Sequence, residues 1–142
     1  MRIMGVDYGD VRIGVALSDE LGMTAQTFEV IDCRRIREPI ARLCEIAHAQ
    51  QVDEIVVGLP RNMNGSYGER AEISRVFAGK LAEASGLSVV LVDERLSTVS
   101  AERVLLEADV SRARRKQVVD KVAAAVILQS YLDTLEARRR LR

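Results

Sequence analysis

The chain has 142 residues, 48% hydrophobic and 30% charged, with 21 basic and 21 acidic side chains. That length suits one domain, which buries about 68–70% of its extended surface on folding, and the composition excludes a disordered, collagen-like or disulfide-scaffold protein. Zero net charge argues against wholesale electrostatic adhesion to nucleic acid, but residues 111–142 hold nine Lys/Arg against three acids, a net +6 that the preceding residues offset, so an acidic partner is expected to meet the C-terminal part.

Residues 2–8 and 11–18 are apolar-rich runs separated by Gly9-Asp10, and a third lies at Thr27–Ile31; together they predict an antiparallel meander. Asp7 interrupts the N-terminal run before a signal-peptide apolar region forms, so a cytoplasmic protein is expected. Ile36, Ile40, Leu43, Ile46 and Ala47 recur at helical spacing across 34–50, with Pro39 able to mark a later helix start. His48, near the end of that helix, is expected to face solvent. Cys33 and Cys44, eleven apart, fit neither a zinc site nor a disulfide framework.

Glu54–Leu59 reads as a buried strand stopped by Pro60, and Asn62, Asn64, Gly65 and Gly68 predict a loop. A helix follows over Glu69–Ser85, ended by Gly86. Ser88–Val92 is continuous and β-branched, the pattern of a parallel strand covered on both faces. Ser97 or Thr98 caps a short helix through Glu107, a basic loop spans 109–116, and an apolar helix fills 117–135. Its longest apolar stretch, Val122–Leu128, is seven residues, far below the roughly 20 of a membrane span. The order βββ-α-β-α-β-α-α predicts one α/β domain over 1–142, a mixed five-stranded sheet with helices on both faces and a basic tail at about 136–142.

Three carboxylates sit where structure alone does not call for them. Asp is depleted in strands, yet Asp7 shares a face of the first strand with Ile3 and Gly5; it either accepts bonds from the following turn or serves a site. Asp93 and Glu94 end a strand at the carboxyl edge, where open α/β sheets place ligands, and alternation sends them to opposite faces, so only one can join Asp7. Asp120 shares a helix stripe with Ala123, Ala124, Ile127 and Tyr131, although an acid in a first turn also favours the macrodipole. If Asp7, Glu94 and Asp120 converge, each pair about 4 Å apart repels by roughly 4 kcal/mol at an effective dielectric of 20. Shared protons or a hard divalent cation would relieve this; oxygen-only ligands favour Mg²⁺ or Mn²⁺ over zinc, and such an ion activates water for phosphodiester hydrolysis. Arg114, Arg115 and Lys116 would hold flanking phosphates.

Asp7-Tyr8-Gly9 with Arg12-Ile13-Gly14-Val15-Ala16, Val57-Gly58-Leu59-Pro60 with Asn62-Met63, Asp93-Glu94-Arg95-Leu96-Ser97-Thr98, and Asp120 with Ala123-Ala124 form an ordered series along nearly the whole chain. In these blocks the chain resembles the YqgF/RuvX family, described as Holliday junction resolvases and as nucleases maturing the 5′ end of pre-16S ribosomal RNA. The resemblance implies a ribonuclease H-like fold, catalytic metal-binding carboxylates at Asp7, Glu94 and Asp120, and an endonuclease of structured RNA or branched DNA. Gly9, Arg12, Asn62, Asn64, Arg95, Ser97 and Thr98 would then contact substrate. Asp10 and Val11 depart from the family's small hydroxyl residue and lysine, and Asn64 from a frequent Asp; Asp10 adds a negative charge near the site.

Two other classes compete. A nucleic-acid-binding or regulatory module would use the 111–121 segment and the Arg138–Arg142 tail without metal. Asp7-x-Gly9 followed by Gly14 also fits the phosphate loop of actin, chaperone and sugar-kinase ATPases, but those close two such domains on a nucleotide and this chain provides one. Aromatic residues are 4% of the chain and tryptophan is absent, which disfavours stacking on single strands and favours duplex or junction shape; Tyr67 is the loop aromatic available for stacking. Junction cutting at paired positions would suit a two-fold homodimer.

Overall fold

A computed structural model describes residues 1–60 and 67–93, residues 112–121 as helical backbone, and 122–141 with their side chains. Three antiparallel strands open the fold: β1 (Ile3–Tyr8), β2 (Arg12–Ser18) and β3 (Ala25–Asp32). The meander expected from the apolar runs is present, and β3 is longer at both ends than its apolar centre indicates. A bulge faces Val15/Ala16, whose partners on β3 are Glu29 and Thr27; Phe28 is the extra residue between them.

Helix α1 (Pro39–Ala49) begins at the proline, whose missing N–H costs nothing in a first turn, and buries Leu43, Ile46 and Ala47. His48 is exposed in its last turn. Strand β4 (Glu54–Leu59) then pairs parallel to β1. Helix α2 (Glu69–Ser85) closes on Gly86, at φ 72° with its N–H donating to the Ala82 carbonyl at 2.9 Å, the left-handed cap that glycine adopts without strain. Strand β5 (Ser88–Asp93) pairs parallel to β4, giving the sheet order β3-β2-β1-β4-β5. Helix α3 (Arg112–Arg140) follows.

Two expectations are corrected. β5 is parallel, but it is not fully covered on both faces: it is the last strand of the sheet among the described residues and its side chains run from half-buried to exposed, with Leu91 36% exposed. The stretch expected as a basic loop up to 116 is helical from Arg112, and the helix expected to stop at 135 continues to Arg140. Arg, Lys and Gln are good helix formers, so a helix extends into charged sequence beyond its apolar stripe. The expected helix from Ser97 or Thr98 to Glu107 and the loop at 62–66 fall outside the described residues. Among the described residues no helix is long and apolar enough to cross a membrane.

The sheet separates two cores. Met4, Val6, Ile13, Val15, Ile55 and Val57 pack beneath α1 and α2 with Leu43, Phe77 and Leu81. On the other face Ile3, Ala16 and Val56 meet Ala124, Ile127, Leu128 and Leu132 of α3. Each fully buried Ile, Leu, Val, Met or Phe side chain contributes about 1.5–3 kcal/mol. Alternation along β1 therefore gives Ile3, Gly5 and Asp7 to the α3 face and Met4, Val6 and Tyr8 to the other.

Candidate functional site

Asp7 is half-buried near the carboxyl end of β1, opposite Gly14 of β2. The register of β1 with β4 pairs Val6 with Val57, so Gly58 comes level with Asp7, and β4 in turn pairs Gly58 with Val92. Asp93, paired with Leu59, has the parity of Val89, which packs with the α1/α2 core. Of the two adjacent acids, Asp93 thus falls on the face away from Asp7. Glu94 lies outside the described residues, as do Arg95, Ser97, Thr98, Asn62 and Asn64.

The approach of α3 to β1 is unusually close at Gly5. A Cβ there would stand 2.8 Å from Leu128 Cβ and 2.9 Å from the Ala124 carbonyl oxygen. Only glycine lets the helix backbone come that near. The helix runs opposite to β1: beyond Leu128, the Gln129 side chain accepts from Ala25 N–H at 3.0 Å and donates to the Met23 carbonyl at 3.1 Å, and Tyr131 Oη donates to Glu54 Oε1 at 2.6 Å, all at the end of the sheet where β1 begins. From Gly5 to Asp7 the strand advances about 6.7 Å. From Ala124 back to position 120 the helix advances about 6 Å in the same sense. Ideal strand and helix spacings thus carry position 120 toward the end of β1 that holds Asp7, on the stripe whose next members, Ala123, Ala124 and Ile127, are buried. The Asp120 side chain is outside the described residues. Those of Arg114, Arg115 and Lys116 are too, on the part of α3 that runs past the level of Asp7.

Gly9 and Arg12 form the turn after Asp7. A Cβ on Gly9 would meet the Arg12 carbonyl oxygen at 2.6 Å, so this tight reversal requires glycine. Arg12 is exposed and pairs across the sheet with Asp32. Asp10 has a cation beside it: Arg70 Nη1 stands 3.6 Å from its carboxylate, at the surface, which offsets the extra negative charge next to the site. Tyr8 stacks on Phe77, with centroids 4.1 Å apart at 19°, so both are partly committed to packing. Tyr67 carries the Arg75 guanidinium over its ring at 4.8 Å, which occupies one of its two faces.

Arg34, Arg35 and Arg37 draw no notice from sequence alone, because which end of the sheet they join depends on the meander's register. They lie in the turn leaving β3, tied to the β1–β2 turn by the Cys33 N–H donating to the Val11 carbonyl at 2.9 Å. Asp32 organises the turn. Its carboxylate accepts from Arg34 N–H at 3.0 Å and from the Arg34 guanidinium at 3.1 and 3.2 Å, and these bonds hold its carboxyl below the usual range.

The donor chemistry at Asp7 is a hard carboxylate oxygen on a face otherwise built from Gly5, Gly14 and Ala16, which suits Mg²⁺ or Mn²⁺ better than a soft metal. Among the described residues no three His, Cys, Asp or Glu side chains gather into a metal-binding group; Asp7 is the one member of the expected trio whose side chain is described.

A three-strand meander continued by two parallel strands, with helices on both faces and an acid on the first strand, defines a ribonuclease H-like protein. The same fold is found in Thermus thermophilus RuvC in complex with a Holliday junction substrate (TM-score 0.60, 17% identity, 96% of each chain) and in the fowlpox virus Holliday junction resolvase (TM-score 0.56, 16% identity, 94% of this chain and 99% of that one). Sequence carries the identification further: the chain belongs to the RuvX family, described as Holliday junction resolvase, whose model matches residues 1–134. A Symbiobacterium thermophilum relative named as a candidate pre-16S rRNA nuclease is 64% identical over 97% of this chain and 96% of its own. One from Pelotomaculum thermopropionicum, with the same name, is 57% identical over 99% and 92%. The chain is a nuclease of this family, and its substrate is nucleic acid.

Proposed function

We propose that this protein is a divalent-metal-dependent endonuclease that hydrolyses phosphodiester bonds in structured nucleic acid, with Asp7, Glu94 and Asp120 as the catalytic carboxylates. The observation that carries the reading is the close contact of Gly5 with Ala124 and Leu128, from which ideal strand and helix spacings would bring position 120 to about the height of Asp7. The parity of Asp93 supports Glu94 as the third acid. These three would hold Mg²⁺ or Mn²⁺, which when bound activates water and stabilises the leaving oxygen. The chain's own contribution is to hold its first carboxylate on the central strand β1, between the helix packed on Gly5 and the turn at Gly9. Gly9, Arg12, Asn62, Asn64, Arg95, Ser97 and Thr98 would contact substrate, and Arg114, Arg115 and Lys116 its flanking phosphates.

Precursor 16S ribosomal RNA is the favoured substrate and branched DNA the second. Relatives named for the former are 54–64% identical over nearly the whole chain, whereas the resolvases whose structures match share 13–17%. A cytoplasmic location goes with this reading. Paired cuts in a symmetric junction would further require two copies, measurable as the mass of the protein in solution with and without a junction.

The test is a cleavage panel of precursor RNA, four-way DNA junctions and plain duplexes, run with Mg²⁺, with Mn²⁺ and with chelator. Cleavage is expected with metal and not with chelator, and Asp7→Asn is expected to lose it while retaining the wild-type melting temperature. Full activity in a folded Asp7→Asn variant would remove the carboxylate from the mechanism. Tight binding without cleavage in either metal would identify a binding module instead.

A further inference from the structure

We propose that Arg35 and Arg37, in the turn between β3 and α1, form a phosphate-binding flank that grips the substrate backbone on the β2–β3 side of Asp7. The inference rests on the nuclease reading above and adds to it a part of the track that lies away from α3.

The sequence Cys33-Arg34-Arg35-Ile36-Arg37 builds this surface in a definite way. Cys33 and Ile36 pack against the α1/α2 core. The Arg35 and Ile36 N–H groups both donate to the Asp32 carbonyl at 3.0 Å. With its apolar positions pinned three residues apart, the turn sends the arginines outward. Arg34 is then spent locally, its guanidinium forked onto Asp32. Arg35 is 87% exposed and stands 4.0 Å from the same carboxylate, a second and longer approach to an acid already engaged. Arg37 is exposed and makes no ion pair among the described residues. A planar guanidinium on a pre-ordered turn binds phosphate with little further loss of conformational freedom.

Place matters as much as charge. Asp32 pairs with Arg12, the first residue of β2, and Cys33 is bonded to Val11. The turn therefore emerges at the same end of the sheet as Asp7, two strand spacings away, about 10 Å. Arg12 lies between, also exposed. Among the described acids near this path, Asp32 is held by Arg34 and Asp10 faces Arg70; Glu38, at the start of α1, is exposed and follows Arg37 directly. A row of Arg12, Arg35 and Arg37 leading off one side of Asp7 suits a polyanionic backbone that must cross the carboxylate, with α3 on the other side.

The test uses the full chain, a precursor RNA and a four-way junction. Arg35→Gln/Arg37→Gln is expected to raise KM about tenfold at low salt with kcat at saturation near wild type. It is also expected to flatten the dependence of log affinity on log salt by about 0.9 per lost contact on duplex DNA and about 0.7 on single strands. Arg35→Lys/Arg37→Lys should restore much of the salt dependence, because the charge is kept. The same double change at Arg139 and Arg140, on the last turn of α3 at the opposite end of the sheet, measures the cost of losing two charges from the chain as a whole. An unchanged KM and salt dependence in the glutamine variant overturns the inference, and so does a loss of equal size from Arg139 and Arg140, or a fall in kcat alone. If the wild-type protein neither binds nor cuts any of the substrates, the nuclease reading itself has failed, and that outcome is separate from the others.

Discussion

Replacing Gly5 by alanine adds a single methyl group and tests whether α3 is seated as described. The new Cβ would stand 2.8 Å from Leu128 Cβ and 2.9 Å from the Ala124 carbonyl oxygen. Neither is the end of a flexible side chain, so relief requires the helix backbone to move off the sheet. Overpacking of this kind costs about 1–3 kcal/mol, which for a chain of this length lowers Tm by about 3–10 °C. The displacement also falls on the helix that carries position 120, so cleavage is expected to drop by about tenfold or more even where the variant is fully folded, since misplacement by 1 Å costs on the order of a hundredfold. Gly79→Ala is the matched control. It lies on the exposed side of α2, where a Cβ meets nothing within 4 Å, and the same change should stabilise by about 0.5–1 kcal/mol through helix propensity. Tm by calorimetry and single-turnover cleavage at 25 °C check both. A Gly5→Ala protein as stable and as active as wild type would refute the seating of α3 against β1, and with it the level placement of positions 7 and 120.

Two further changes probe the end of the sheet remote from Asp7. Ser18 is buried, accepting the Ile3 N–H at 2.8 Å and donating to the Asp19 carbonyl at 2.9 Å; Ser18→Ala leaves a buried donor without a partner and should cost about 1–3 kcal/mol, so a denaturant midpoint equal to wild type would contradict the bond. Tyr131 has its phenol pushed up to about 12, first by burial and then by its bond to Glu54. A pKa raised on folding means that the stabilisation is present below the ordinary phenol value near 10 and is lost as pH rises through 12. Wild type is therefore expected to lose stability across pH 10–12 more steeply than Tyr131→Phe, and parallel urea midpoints across that window would refute the coupling.

The parts of the fold legible from sequence are those where local pattern and final environment agree. Gly9-Asp10 between two apolar runs gives the β1–β2 turn, Pro39 gives the start of α1, and Gly86 gives a left-handed cap. β5 is different, because a β-branched run reports a parallel strand but not how fully each of its faces is covered. The start of α3 escapes for another reason: Arg112–Lys116 carries no apolar stripe, so nothing in periodicity separates a solvated helix turn from a basic loop. At the candidate site, Asp7 stands out in sequence because Asp is depleted in strands, while alternation says only that Asp93 and Glu94 face opposite ways; that Asp93 is the one turned from Asp7 comes from the packing of Val89 with the α1/α2 core. The arginines at 34, 35 and 37 are not, since their meaning depends on Asp32 pairing with Arg12, a contact twenty residues apart that charge pattern alone does not specify.

The two ends of the sheet are built for different purposes, and that difference bears on how substrate arrives. Where β1 begins, the Arg2 N–H donates to Asp53 at 2.9 Å, Ile3 to Ser18, Ala25 to Gln129 and Tyr131 to Glu54, so these polar groups are consumed in closing the structure. Where β1 ends, the side chains are held by tight turns and carry charge outward: Asp7 after a run of buried residues, Arg12 beyond Gly9, and the arginines leaving β3. Open α/β sheets take ligands at the carboxyl ends of their strands, and here the exposed Arg12, Arg35 and Arg37 stand at that end. On the reading proposed above, a nucleic acid approaching from that side would meet the exposed arginines before the half-buried Asp7, an order that favours capture of a polyanion and limits its repulsion by the carboxylate.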